Sequence, residues 1–484
     1  MKVLLVSMSL AALSMTQLWL SLLAGPAFHH TLPSRIDYTS GLVLFVLLSL
    51  LIVFLFKLMQ SANQSVRRIV GPCLLIVFLL SPLDCLRVNI GAVLSSKISS
   101  SQYFKFSPIL LLPILFFSPS KSYPKFLICL LLASPFSAFV VCQLLFGIMT
   151  GGPRERMGVN CQGPTNPQEV VNRVVWIVFD ELDYRLAFLE RPRDVFLRNF
   201  DHLANESVNF SFALPPAQMT AISIPSLIDG HTYISSYPSS CSNLILRSED
   251  KSLSRWGSRE NLFTDMQQGN HLSAAVGWFL PYTRIFSDKL HYSWWEPNSP
   301  QRYIGNGDDL LSTMRNHIKA FNPIFKREFH NQTLEACVQN TMQVVASEKY
   351  SLCFIHLPIP HLPSTQPWRY NEPQGTVVNY FRNLIVADQV LGEVLSKLKG
   401  SSGFNKTTVI VSSDHHWRSS QQYDGKTDLR VPLIIRFPDQ NYRVDIDRKF
   451  DTVETRYLIK DIIRATNLTD VEYGKKIIKK HLSN

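Results

Sequence analysis

Apolar residues gather at the front of the chain in five runs, roughly residues 3–24, 41–59, 69–85, 108–119 and 126–149. The first, second and fifth approach the ~20 residues needed to cross a bilayer core of ~30 Å. The third and fourth are short and interrupted by Pro. A buried core helix gives the same pattern singly. Five such runs with only two acids among them, Asp37 and Asp84, predict a membrane region of about five helices over residues 1–150.

From about residue 170 the pattern changes. "VVWIVFD" (Val174–Asp180) is a continuous apolar, β-branched run, and "LSAAVGWF" (Leu272–Phe279), "SLCFIHL" (Ser351–Leu357), "TTVIVSS" (Thr407–Ser413) and "VPLIIRF" (Val431–Phe437) repeat it. Strands apolar on both faces belong to sheets covered by helices on both sides. Between them lie helical stretches such as Val377–Gly400, amphipathic and closed by Gly400 as a C-cap. The expected architecture is a multi-pass α-helical membrane region, then an α/β doubly wound, mostly parallel-sheet domain over residues 172–484. Residues 151–171, rich in Gly, Pro and polar side chains, read as the linker.

Charge supplies an orientation. Residues 1–150 carry ten Lys or Arg against two Asp, a net +8 of the whole chain's +11. Lys57, Arg67 and Arg68 fall between the second and third runs, Lys121 and Lys125 between the fourth and fifth. The positive-inside tendency makes those loops and the N-terminus cytoplasmic and everything beyond residue 150 external, with a bacterial inner membrane as the expected location. Met1–Phe28 also reads as a signal peptide, and cleavage would leave the rest on the same side. Since topology accounts for most of the basic charge, nothing points to nucleic acid. Of the eight cysteines, Cys73, Cys85, Cys129 and Cys142 fall in apolar runs, while Cys161, Cys241, Cys337 and Cys353 lie in the external part and show no metal-binding spacing. Asn205, Asn209, Asn331, Asn405 and Asn467 stand in N-x-S/T sequons, which carry meaning only in a eukaryotic secretory host.

In doubly wound sheets the chemistry collects beyond the carboxyl ends of the strands. The first strand here ends in Asp180-Glu181, the third carries His356 and is followed by His361, and the fourth ends in Asp414-His415. Each has a plain structural use: the acids as helix caps, His356 as a satisfied core histidine, Asp414-His415 as a polar turn. Taken together, acids and imidazoles at three strand ends suit a divalent cation. Between the first and second strands lies the hydroxyl-rich turn "MTAISIPSLIDG", which reads either as a capped structural helix or as a nucleophile at a helix start.

With these motifs in chain order, residues 172–440 or so resemble the alkaline-phosphatase superfamily, in its sulfatase-like branch. The apolar runs in front are similar in layout to bacterial phosphoethanolamine transferases and lipoteichoic-acid synthases. The resemblance implies that Asp180 is the first metal-binding acid and Glu181 a second, with the choice between them open. It implies that Thr220 is the nucleophile and a fourth metal ligand, with Ser223 as the alternative, and that Asp414 and His415 are the metal-binding pair. His361 matches a histidine that contacts a second metal or the substrate anion, with His356 the weaker match, and Arg418 and Lys426 fall where cations face that anion. The implied cofactor is zinc or manganese, with calcium and magnesium as further candidates.

Some residues depart from the family pattern. Ser223-Ile-Pro-Ser226 is followed by Leu227, not the Arg that sulfatases need beside a residue converted to formylglycine. No His follows the Asp-His pair by a dozen residues; Lys426 and Asp428 stand there instead, which implies one cation with a basic residue in place of a second. The expected function is therefore transfer of a phospholipid head-group phosphoryl unit to an envelope glycan or glycolipid. A hydrolase of phosphate or sulfate esters and a non-catalytic membrane scaffold are the alternatives.

Overall fold

The computed structural model of the protein describes residues 2–23, 28–66, 70–71, 74, 78, 130–160, 167–297, 304, 307–320, 326–361, 376–465 and 471–482. The chain forms two compact units. One comprises Met1–Pro26, Thr31–Glu155 and Pro300–Phe325; the other comprises Ala27–His30, Arg156–Ser299 and Lys326–Asn484.

The first unit contains α1 (Lys2–Ser14), α2 (Thr16–Leu23), α3 (Arg35–Ser61) and α4 (Ser134–Thr150), with a further helix over Leu310–Ala320. Two helices, Arg35–Ser61 and Leu130–Thr150, are long and apolar enough to cross a membrane. The first apolar run, expected as one span, is instead divided into helices of 13 and 8 residues. The third and fourth runs fall almost wholly outside the described residues. Asp37 looks anomalous in an apolar half until its partners are seen. Its carboxylate accepts from the Ser34 backbone N–H at 2.8 Å and from Ser34 Oγ at 2.6 Å, closing the N-terminus of α3. His317 Nε2 lies 3.2 Å from its other oxygen, and Ser40 Oγ lies 3.0 Å from His317 Nδ1.

The second unit is built on a nine-stranded sheet in the order β1 (Gly158–Asn160), β8 (Tyr292–Glu296), β7 (Ser273–Trp278), β9 (Leu352–Pro360), β2 (Arg173–Asp180), β10 (Thr407–Ser413), β11 (Leu433–Arg436), β3 (Val208–Leu214) and β12 (Val444–Asp451). A three-stranded antiparallel sheet of β4 (Tyr233–Ser240), β5 (Asn243–Ser248) and β6 (Leu253–Arg255) stands apart from it. The five strands β8-β7-β9-β2-β10 run parallel. β11 runs antiparallel to both its neighbours, and β1 antiparallel to β8. β12 runs parallel to β3, so seven of the nine strands share one direction and the sheet is mostly parallel, as expected, with β1 and β11 reversed. All four residues of β11 are buried, and a continuous apolar run carries no mark of its reversed direction. β1 also shows that residues 158–160, inside the stretch read as linker, pair with the sheet.

Alternation along β2 divides the core. Val174, Trp176 and Val178 join Ile224, Leu227 and Ile228 of α5 (Thr220–Asp229) on one face. Val175, Ile177 and Phe179 join Leu334 and Val345 of α6 (Lys326–Ala346) and Leu384 and Leu391 of α7 (Thr376–Lys399) on the other. Helices on both faces leave the strand ends as the place where polar side chains can meet. Cys142, Cys241, Cys337 and Cys353 are all free thiols.

Candidate active site

β2, β9 and β10 are adjacent and parallel, so their carboxyl ends open on one place. At the end of β2 the register with β9 jumps, from Phe179 opposite Leu357 to Asp180 opposite Pro360. Such an irregularity re-aims the last side chain of a strand. It also explains how a central strand carries Pro358 and Pro360: the ladder is already breaking where their missing N–H groups would be needed.

Two turns then lock together. Glu181 takes a left-handed backbone, φ 65°, a conformation that costs a non-glycine residue roughly 1–3 kcal/mol. Its N–H donates to Asp414 Oδ1 at 3.1 Å, and its carbonyl accepts from Tyr380 at 2.9 Å. Ser413 Oγ accepts from the Leu182 N–H at 2.9 Å and lies 2.8 Å from the carbonyls of both Phe179 and His415. The acid after β2 and the Asp-His pair after β10 are therefore held by shared hydrogen bonds.

The ligand atoms of Asp180, Asp414 and His415 converge within 4.8 Å of one another, and all three residues are buried. His415 Nδ1 donates to the His416 carbonyl at 2.9 Å, which leaves Nε2 as the lone pair facing the carboxylates. That nitrogen is 3.3 Å from Asp414 Oδ2 and 3.9 Å from Asp180 Oδ1. Asp180 Oδ1 and Asp414 Oδ2 have no hydrogen-bond partner among the described residues. Burial, then the neighbouring Asp414, pushes the Asp180 carboxyl well above its ordinary range. Burial raises Asp414 to about 6 and lowers His415 to about 4. Two desolvated carboxylates and a neutral imidazole, with lone pairs aimed at one point, fit a divalent cation.

Thr220 is the first residue of α5, and Met219 is its N-cap. Its Oγ1 lies 3.3 Å from Asp180 Oδ2 and 3.3 Å from His415 Nε2. The helix starts well before the proline, so Pro225 sits inside it rather than in its first turn. Ser223 lies one turn on from Thr220, is fully buried, and donates to the Asp414 carbonyl. Gly230, φ 59°, ends the helix in a left-handed cap.

The remaining candidates divide. Glu181 lies outside the convergent triad and binds Arg418, with Nε 2.7 Å from Oε1. Arg418 NH2 reaches His361 Nε2 at 3.5 Å, and the backbone N–H of His361 donates to the Asp180 carbonyl at 3.1 Å. His356 is fully buried, lies 2.9 Å through Nδ1 from the Tyr282 hydroxyl, and has Nε2 3.9 Å from Asp180 Oδ2. Lys426 goes elsewhere: its Nζ pairs with Glu190 at 3.0 Å beside Arg185. Sequence reasoning passed over Trp278 and His330, which border the same strand ends. Trp278 closes β7 and was open to the strand-end rule; His330 sits on a helix and gave no signal.

A family model described as Sulfatase matches residues 172–463. No curated protein matches the sequence. Among solved structures, Ps i-CgsB in complex with k-i-k-neocarrahexaose is 14% identical, covering 61% of this chain and 72% of that one, with a TM-score of 0.45. The PsFucS1 sulfatase from Pseudoalteromonas sp. is 12% identical over 61% and 68% of the two chains, with a TM-score of 0.44. The phosphonate monoester hydrolase of Agrobacterium radiobacter is 13% identical over 60% and 73%, with a TM-score of 0.39.

Proposed function

The chain belongs to the sulfatase family and is an enzyme, and from that premise we propose that it is a membrane-anchored, cation-dependent transferase that moves a phosphoryl-bearing head group from a phospholipid to a hydroxyl of an envelope glycan or glycolipid through Thr220. One observation carries the reading: Thr220 Oγ1 stands 3.3 Å from both Asp180 Oδ2 and His415 Nε2, at the first residue of a helix. A divalent cation held by Asp180, Asp414, His415 and Thr220 would stabilise the threonine alkoxide and offset charge on the phosphoryl oxygens, and zinc and manganese both suit that ligand set.

The chain's own residues do the rest. Thr220 Oγ1 donates to Asp180 Oδ2, and its proton leaves along that hydrogen bond. The oxygen bonds to phosphorus as the P–O bond to the lipid's glycerol breaks, and the glycerol oxygen takes up the proton that Thr220 gave. An acceptor hydroxyl then attacks the same phosphorus, the bond from phosphorus to Thr220 Oγ1 breaks, and the acceptor's proton returns to Thr220. The partial positive charge at the start of α5 favours the anion in front of Thr220. Arg418, held by Glu181 and partly exposed, supplies the side-chain cation at the rim. Arg418 also reaches His361, whereas Lys426 lies with Glu190 and Arg185, so that role goes to Arg418.

Membership of the sulfatase family favours a second reading, hydrolysis of phosphate or sulfate esters with water as acceptor. Leu227, where formylglycine-dependent relatives are expected to carry Arg, weighs against sulfate. The test is intact-mass analysis of the full chain after incubation with phospholipid vesicles. The transferase reading expects a head-group phosphoryl adduct on Thr220 that an added glycan acceptor discharges. Free phosphate or sulfate released with no acceptor present would select the hydrolase.

A further inference from the structure

The buried polar atoms left without partners extend beyond the cation ligands. Trp278, at the end of β7, is 3% exposed, and its ring neighbours three imidazoles: His361 at 5.5 Å, His330 at 6.3 Å and His356 at 6.3 Å between centroids. Trp278 Nε1, both ring nitrogens of His330, His361 Nδ1 and His356 Nε2 are all buried, and none has a hydrogen-bond partner among the described residues. His330 is 1% exposed and lies on α6, away from the strand-end motifs. A buried polar atom left unsatisfied costs roughly 1–3 kcal/mol. Here the indole nitrogen and four imidazole nitrogens gather beside the cation ligands, and such a group is suited to satisfaction by a ligand. His356 joins this place to the cation ligands through its 3.9 Å approach to Asp180.

Donor and acceptor character narrows the ligand. The indole N–H can only donate. Arg418 also can only donate, so His361 Nε2 is its acceptor and Nδ1 carries the inward N–H. Burial, with His361 nearby, holds the His330 pKa at about 3, so the ring is neutral and offers one N–H. A second cation would need converging lone pairs, and among the described residues only Asp180, Asp414 and His415 bring ligand atoms together closely enough. Neutral N–H donors beside a cation site suit the oxygens of an anion.

We infer that Trp278, His330 and His361 form a donor pocket for the oxygens of a tetrahedral oxyanion, phosphoryl or sulfuryl, presented to Thr220. Trp278 and His330 are its new members. The pocket rests on the proposed use of Thr220, and its experiment is separable from that use.

The experiment is calorimetric titration of the full-length Thr220→Ala protein, loaded with zinc or manganese, with inorganic phosphate and with inorganic sulfate. On that background, Trp278→Phe keeps the ring and removes the N–H, and His330→Phe removes the imidazole donor. Each is expected to weaken binding of the preferred anion about tenfold, with metal content and the anion-free unfolding midpoint unchanged. His330→Gln, which restores a donor, is expected to bind within about threefold of the background protein. A purely structural role would lower the midpoint and leave affinity alone. Should His330→Phe fail to fold, Trp278→Phe decides. Phosphate and sulfate arms report which class of ester the pocket prefers. Unchanged affinity for both anions in Trp278→Phe, or no anion binding by the background protein, overturns the pocket. A missing Thr220 adduct alongside donor-dependent anion binding would overturn only the transferase reading.

Discussion

At the scale of single residues, the site depends on two carboxylates that are costly to keep charged without a cation between them. Asp414 is pushed up to about 6 and Asp180 well above its usual range, both chiefly by burial, while His415 is held down to about 4. A cation must displace the carboxyl protons, whereas His415 is already neutral above pH 5. The sign follows: metal affinity is expected to fall as pH drops, by at least about tenfold per pH unit below 6, where Asp414 takes up its proton. Metal titrations at fixed ionic strength between pH 5 and 8 check it, and affinity that rises toward acid would refute the carboxylate assignment. Asp414→Asn keeps the shape and removes the charge, so metal affinity is expected to drop by two orders of magnitude or so. Thr220→Ala should abolish turnover while metal content falls far less, because a neutral hydroxyl is the weakest of the four ligands. A Thr220→Ala enzyme with parental turnover would remove the nucleophile from the mechanism.

At the scale of elements, α5 positions that hydroxyl, and its end is as constrained as its start. Gly230 sits at φ 59°, and a Cβ there would meet the Arg456 side chain at 2.9 Å. Arg456 cannot give way easily, since it is buried and bound to Asp265 at 2.8 Å. Gly230→Ala is therefore expected to lower stability by about 1–2 kcal/mol, read as a lower thermal midpoint with metal affinity retained. The same elements show what a sequence can and cannot disclose. β2, β7, β9 and β10 were legible because each is a continuous β-branched or apolar run, and the strand-end rule then drew Asp180, Asp414 and His415 to one edge. β12, with alternating exposure, and β4, mostly polar, carry no such run and went unread. The direction of β11 was invisible for the opposite reason, uniform burial. Lys426 occupied the right region of the chain but folds onto Glu190. No local pattern could bring His330 beside Trp278, since that neighbourhood is made by a helix packing across the strand ends.

At the scale of the whole molecule, two helices are long and apolar enough to cross a membrane, and their charges predict an orientation. α3 has 27 residues, about 40 Å of helix at 1.5 Å per residue, more than the ~30 Å of a hydrocarbon core. Leu47, Leu50, Phe54 and Leu58 on it are exposed, as are Phe139, Phe146 and Met149 on α4. Side chains of this kind on helices of this length are expected to face lipid. Lys57, Arg67 and Arg68 lie at or just beyond the end of α3, and a cluster of basic residues resists translocation. The turn near Asn63 is therefore expected inside the cell and the sulfatase-family unit after residue 155 outside. Alkaline phosphatase, active only outside the cytoplasm, and a green fluorescent protein, active inside, can each be fused after Asn63 and after Asn484. The expected result is fluorescence without phosphatase activity at Asn63 and phosphatase activity without fluorescence at Asn484. Both fusions reporting the same side would mean an even number of crossings between them. The reverse pattern would place the Thr220 site in the cytoplasm, away from any envelope glycan, and a different acceptor would then be required.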